Sequence, residues 1–189
     1  QAGKSGNLNG IQTPIFSAGF KTGKGTPHEG GTHVPSFWYW KNTLKSGVDI
    51  PSLTAHIDLY RTFCELAGVK IPNHIQKIDG RTLVPLLENP KALWNDRKLF
   101  IHKGRWEKDT DPNASKLESF AVRTQRWRFV NNAELYDISN DPYESTNVFD
   151  QYPEIVAELR KAYDRWWEET LPLMVNENVP YAPKQPQAV

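Results

Sequence analysis

Cysteine occurs once in the 189 residues, at position 64. No disulfide framework and no cysteine-built zinc site can therefore form within the chain. The setting of Cys64 in RTFCELAG reads as a small buried hydrophobe. Neither sign of charge dominates, since 23 Lys and Arg oppose 22 Asp and Glu for a formal net charge of +1. That balance gives no bulk attraction to nucleic acid or to an anionic membrane, so any anion recognition must be local. Apolar runs stay below the roughly twenty residues that a membrane span needs, and no basic start with an apolar middle marks a signal peptide. Internal repeats and low-complexity blocks are also lacking. Residues 180–189, rich in Pro and Gln, read as an extended or poorly ordered tail. Gln1 is not an initiator methionine, and the chain reads as a processed product or a fragment.

What is present divides by periodicity. Residues 1–26 are rich in Gly, Ser, Asn and Thr with few periodic apolars, which reads as an irregular loop. VPSFWYW (34–40) reads as a short buried strand. SLTAHIDLYRTFCELAG reads as a helix, with Leu53, Ile57, Tyr60, Phe63 and Ala67 at helical spacing and Gly68 as its stop. A turn at IDG (78–80) leads to a shorter helical piece, RTLVPLLEN. From Lys98 the period becomes two: KLFIHK, SFAVRT, RWRFV and AELYDI are short strands separated by DTDPNAS and VNN. Strands this close, without helices between them, predict an antiparallel meander. YPEIVAELRKAYDRWWEE then predicts a long helix, Pro153 in its first turn and Val156, Leu159, Tyr163 and Trp166 on the stripe that covers the sheet. The fold class is α+β, a small antiparallel sheet with a long C-terminal helix, joined to an N-terminal half that reads as incomplete by itself.

The densest chemistry lies in GKGTPHEGGTHVP, residues 23–35. Gly23 and Gly25 leave the backbone beside Lys24 free to adopt positive φ and let an anion approach, while the ammonium supplies a compact charge. The same pattern also describes a solvated turn, and it lacks the spacing and the strand-to-helix setting of a Walker phosphate loop. Glu29 could act as base, metal ligand or turn brace, the last by accepting backbone N–H groups. His28 and His33 have no third ligand at a recognisable interval, so they make a poor metal pair, and His28 stands as a candidate donor to substrate. His102 and Arg105, with Trp106, lie in FIHKGRW where a strand gives way to a loop, a place suited to holding an anionic or sugar-like group. His56 and Asp58 read as a local hydrogen-bonded pair at a helix start. Trp166 and Trp167 are adjacent on a helix, so one belongs to the core and the other to a rim.

In order along the chain, GKGTPHEGGTHVPSFWYW, AHIDLYRTFCELAGV, IDGRTLVPLLEN, FAVRTQRWRFV, ELYDISNDPYESTNV and YPEIVAELRKAYDRWWEE resemble the C-terminal part of the type I sulfatases, the arylsulfatase family of the alkaline phosphatase superfamily. KLFIHKGRW is similar to a bacterial subgroup with a His-x-Gly-Arg-Trp segment. The resemblance implies residues 1–95 as the end of a catalytic α/β domain and 96–189 as a C-terminal subdomain. It implies hydrolysis of sulfate esters at a formylglycine beside one calcium ion. By position, Lys24 matches the lysine that contacts the sulfate and the leaving-group oxygen, whereas Glu29, Gly30 and Gly31 match an EGG element that shapes the turn. The motif that gives rise to formylglycine is missing from this sequence, and Lys4-Ser5-Gly6 stands near the slot of the last metal ligands, where an ammonium cannot bind calcium. His33 occupies a position that is commonly arginine in the family.

The expectations are therefore a C-terminal sulfatase fragment, inactive alone, whose nucleophile and calcium ligands lie elsewhere. Its partners would be a sulfate ester, aryl or carbohydrate, and the rest of the catalytic domain, and its location periplasmic or secreted. Two alternatives stay open: a phosphate or phosphonate monoester hydrolase of the same superfamily, and a non-catalytic binding module that kept the fold.

Overall fold

A computed structural model describes residues 5–14, 16–73, 75, 77–104 and 111–174. The chain divides into two compact units, Gln1–His33 with Lys98–Val189, and Val34–Arg97. Residues up to His33 group with the C-terminal sheet.

In the larger unit, the stretch expected as a loop contains a hairpin, β1 (Ser5–Leu8) and β2 (Ile11–Pro14). Asn9 and Gly10 join them with φ of 53° and 83°, the left-handed pair that a two-residue hairpin turn requires. The Asn-Gly dipeptide is the sequence signal for it. The expected meander is present as β3 (Leu99–His102), β4 (Phe120–Arg123), β5 (Trp127–Val130) and β6 (Glu134–Asp137), each antiparallel to the next. Register pairs Phe100 with Val122, Val122 with Phe129 and Phe129 with Leu135. These side chains share one face, and α4 (Pro153–Thr170) covers it.

That helix buries Leu159, Tyr163 and Trp167, all at 2 % exposure or less. Trp167, rather than Trp166, completes the buried stripe, while Trp166 stacks on Phe100 at 5.2 Å. Tyr163 stacks on Phe120 at 4.0 Å. Each buried polar tip finds an acceptor: Tyr163 donates to the Lys116 carbonyl at 2.5 Å, and the Trp167 indole donates to Asn113 Oδ1 at 2.9 Å. The other face of the sheet carries Ala121, Arg123, Arg128, Val130, Glu134 and Tyr136, a mixture of charge and small apolar groups. Arginine twice at inward strand positions requires carboxylate partners nearby.

In the smaller unit, the expected helix is shorter than its periodicity. A single 3₁₀ turn, His56–Asp58, precedes α2 (Leu59–Leu66), because the Asp58 carboxylate takes the Ala55 N–H (2.8 Å) and so ends the helix there. Asp58 is fully buried, and its partner is Arg97 rather than His56: Nη1 and Nη2 donate to its two oxygens at 2.7 and 2.5 Å. The Arg81 N–H adds a further bond. At Gly80 a Cβ would strike the Ile57 carbonyl, so only glycine lets the IDG turn pass there. Thr62 accepts the Leu83 N–H and donates to the Asp58 carbonyl, tying α2 to α3 (Val84–Glu88). The buried side of α2 is thus Thr62, whereas Ile57, Tyr60 and Phe63 lie exposed. Cys64 is half-buried, not a core residue. Residues 34–40, read from sequence as a buried strand, join no sheet, and Phe37 and Tyr39 are exposed. The reason is the lack of a neighbouring strand among the described residues to take up their backbone groups.

Candidate functional site

Residues 21–33 lie on the charged face of the sheet. At their end α1 (Glu29–Thr32) is a single helical turn with Glu29, Gly30 and Gly31 buried. Glu29 is the anchor. Oε1 accepts from Arg123 Nε (2.9 Å) and from Arg128 Nε and Nη2 (2.9 and 2.5 Å), and Oε2 lies 3.0 Å from His33 Nδ1. Burial alone would raise the Glu29 carboxyl, but the His33 hydrogen bond and the charges of Arg128 and Arg123 outweigh it and hold it at about 2. From sequence Glu29 could be base, metal ligand or a turn brace accepting backbone N–H groups. It braces guanidinium groups instead, because β4 and β5 bring two arginines to it from about a hundred residues away in the chain.

Glu144 closes the other side. It accepts the Glu29 N–H at 2.9 Å and lies 3.1 Å from His28 Nδ1. A carboxylate only accepts, so that ring nitrogen carries the proton. His28 is buried (7 %) with its ring edge toward Tyr136. Lys21, partly exposed, donates to Glu134 (3.0 Å) and to the Tyr136 hydroxyl. Burial would lower the Lys21 ammonium, but its bonds to Tyr136 and Glu134 outweigh that and raise it, while burial and Glu134 push Tyr136 up to about 12.

Between these anchors the chain turns at Lys24. The Gly30 N–H donates to the Lys21 carbonyl at 3.2 Å, and Thr26 Oγ1 donates to the Gly23 carbonyl at 2.8 Å. A Cβ at Gly30 would lie 2.5 Å from the Lys21 oxygen, and one at Gly31 would overlap the Thr26 oxygen. The glycines are required because α1 runs directly against the turn that carries Lys24. Gly23 is buried, Lys24 is exposed, and among the described residues no carboxylate pairs with it. Every other cation of this neighbourhood, Lys21, Arg123 and Arg128, is held by a glutamate.

The remaining sequence candidates do not converge on Lys24. His102 lies on the α4 face of the sheet, 5.0 Å from the Trp167 ring. Its Nδ1 accepts the Gly104 N–H (2.8 Å) and its Nε2 lies 2.9 Å from the Ser115 carbonyl, so both nitrogens serve the loop that follows β3. Arg105, Trp106, Lys4 and residues 180–189 lie outside the described residues. Sequence reading missed Lys21, Arg123, Arg128, Glu134 and Glu144. The available signal was the arginine pair inside otherwise apolar strands.

Among the described residues no group of three or more His, Cys, Asp or Glu could hold a metal ion. The carboxylates closest in sequence and fold to Lys24 are engaged by arginine, lysine or histidine. The residues described thus do not fit calcium, and no step through it is assigned to them. No helix among the described residues is long and apolar enough to cross a membrane.

The turn thus presents the Lys24 ammonium, exposed and with no carboxylate partner among the described residues, beside cations that are each paired with a glutamate. The family described as "N-sulphoglucosamine sulphohydrolase, C-terminal" matches residues 23–168. The chain belongs to this family, and its fold is the α+β C-terminal portion of a sulfatase. It is similar to arylsulfatase K of Rattus norvegicus, 29% identical over 143 residues, covering 70% of this chain and 24% of that protein. It is also similar to arylsulfatase K of Xenopus laevis, 32% identical over 141 residues, covering 71% and 26%. The crystal structure of Ps i-CgsB superposes with a TM-score of 0.61 at 27% identity, covering 78% of this chain and 31% of that one. The chain spans about a quarter of the length of the curated relatives it matches.

Proposed function

We propose that this chain is part of a hydrolase of sulfate esters, and that Lys24 is its contact to the sulfate group. The observation that carries the reading is the contrast between Lys24, exposed and unpaired, and the surrounding cations, each held by a glutamate. An ammonium on a turn clamped by α1 needs little reorganisation to meet an oxyanion. Its worth lies in charge that grows on the leaving-group oxygen as the ester bond breaks. Glu29, Arg123 and Arg128 hold the turn, and His28 and Glu144 hold α1. His102 keeps the loop after β3 closed, and Arg105 remains a candidate contact to the alcohol side of the ester.

Formylglycine and calcium, which the family supplies from other parts of the polypeptide, would provide the nucleophile and further charge neutralisation. The test is turnover of a generic aryl sulfate by the full-length polypeptide and its Lys24→Ala variant. Loss of one donor to a developing oxyanion lowers kcat about 10²–10³-fold, with Lys24→Arg retaining part of the rate. A Lys24→Ala enzyme that turns over at the parent rate would refute the assignment.

A further inference from the structure

α1 is four residues long and turns two of its N–H groups toward the rest of the molecule. Those of Gly31 and Thr32 reach back to the His28 carbonyl at 3.0 and 3.1 Å, whereas that of Gly30 donates to the Lys21 carbonyl at 3.2 Å and that of Glu29 to Glu144 Oε2 at 2.9 Å. A single turn does not hold itself in water, so the outward bonds fix where α1 stands. Lys21 precedes Lys24 in the turn, and on the far side of Lys24 a Cβ at Gly31 would overlap the Thr26 carbonyl. α1 therefore touches the turn on both sides of the lysine.

The Glu144 side chain is fully buried, and its Oε1 lies 3.1 Å from His28 Nδ1. Its two oxygens thus engage the two residues that begin α1. Arg128 Nε stands 3.8 Å from the same Oε1. The backbone of Glu144 is left-handed at φ 56°, a conformation uncommon for a residue with a side chain. It is kept by its surroundings: the Glu144 N–H donates to the Asp141 carbonyl at 3.2 Å, and the Asp141 carboxylate accepts the Thr146 N–H at 2.8 Å. Strain held in this way belongs to sites where a group must be placed accurately. Resting on the reading of Lys24 as the sulfate contact, we infer that Glu144 is the positioning residue of Lys24. It sets α1 through the Glu29 N–H and His28, and α1 sets the turn, so that the ammonium meets the leaving-group oxygen as the sulfur–oxygen bond breaks.

The test is kcat/KM of the full-length polypeptide on a series of aryl sulfates whose phenols range from strongly to weakly acidic. A weakly acidic phenol leaves with more charge on its oxygen and depends most on the ammonium. Lys24→Ala should make the rate fall more steeply with leaving-group pKa. Glu144→Gln should do the same to a smaller extent, losing about ten- to a hundredfold on the poorest leaving group and little on the best. The slope compares rates within one preparation, so a reduced folded fraction cancels. Lys24→Ala combined with Glu144→Gln should match Lys24→Ala alone, because the carboxylate acts through the lysine. His28→Ala, which leaves the Glu29 N–H on Glu144, should also steepen the slope, and His28→Gln, whose amide can donate to the carboxylate, should restore it. A parent slope in Glu144→Gln beside a steep one in Lys24→Ala overturns the inference and leaves the lysine assignment standing. So does a double variant that loses the full factor of each single one. A parent rate and slope in Lys24→Ala would refute the lysine assignment itself, and the inference with it.

Discussion

Arg128 presents its Nε and Nη2 to a single oxygen of Glu29, at 2.9 and 2.5 Å, across 99 residues of sequence, with both side chains at most 5% exposed. Removing the carboxylate takes the near counter-charge from Arg128, which is 3% exposed and keeps only Glu144 Oε1 at 3.8 Å, and takes one partner from Arg123. Glu29→Ala should lower unfolding free energy by about 3–5 kcal/mol in urea denaturation. Adding Arg128→Met should recover part of the loss, because the uncompensated cation goes with it.

The same pair sets a pH dependence. Glu29 is held at about 2 against an ordinary 4.5, so the folded state binds fewer protons than the unfolded state between those values. Its stabilisation is complete above about pH 4.5 and is lost as pH falls toward 2. Acid titration of the urea midpoint should show the fall in the parent and a shallower one in Glu29→Gln.

Gly31→Ala sets a Cβ against the Thr26 carbonyl, and backbone cannot move aside as a side-chain end can. A cost of about 1–3 kcal/mol or more follows, with faster proteolysis of residues 21–33. An unchanged Tm would show that α1 does not press on the Lys24 turn.

Trp167 and Trp166 are neighbours with unequal roles. Trp167→Ala empties a site at 1% exposure and should cost about 3–5 kcal/mol. Trp166→Ala removes a stacking partner of Phe100 and should cost clearly less, both read from thermal unfolding.

Asp58 and Arg97 form the equivalent pair of the smaller unit. Burial would raise the Asp58 carboxyl, but Arg97 and the backbone N–H groups of Arg81 and Ala55 outweigh it and lower it. Asp58→Ala should destabilise this unit by about 3–5 kcal/mol, seen as faster amide exchange across α2 and α3.

The alternation of SFAVRT, RWRFV and AELYDI made the meander legible, and the spacing of Leu159 and Tyr163 made α4 legible. Both are local patterns that face one continuous core. Periodicity erred at α2, where Ile57, Tyr60 and Phe63 recur at helical spacing but face outward, because Asp58 and Thr62 take the inward positions through hydrogen bonds. At 34–40 the described residues form no strand, because a strand needs a neighbour and residue pattern alone does not say where that neighbour comes from.

Sequence by itself determined that Lys24 sits between glycines ahead of an EGG element, that the chain resembles a sulfatase C-terminal region, and that a two-sided meander packs under a long helix. These follow from residue type and short-range spacing. Only the tertiary structure decided which charges are spent. Glu29 meets Arg123 and Arg128, Glu144 meets His28, and Lys21 meets Glu134, through sequence separations from 94 to 116 residues. Burial forces Glu29, Arg128 and Glu144 to find polar partners. Lys24, on an exposed turn, keeps its own charge.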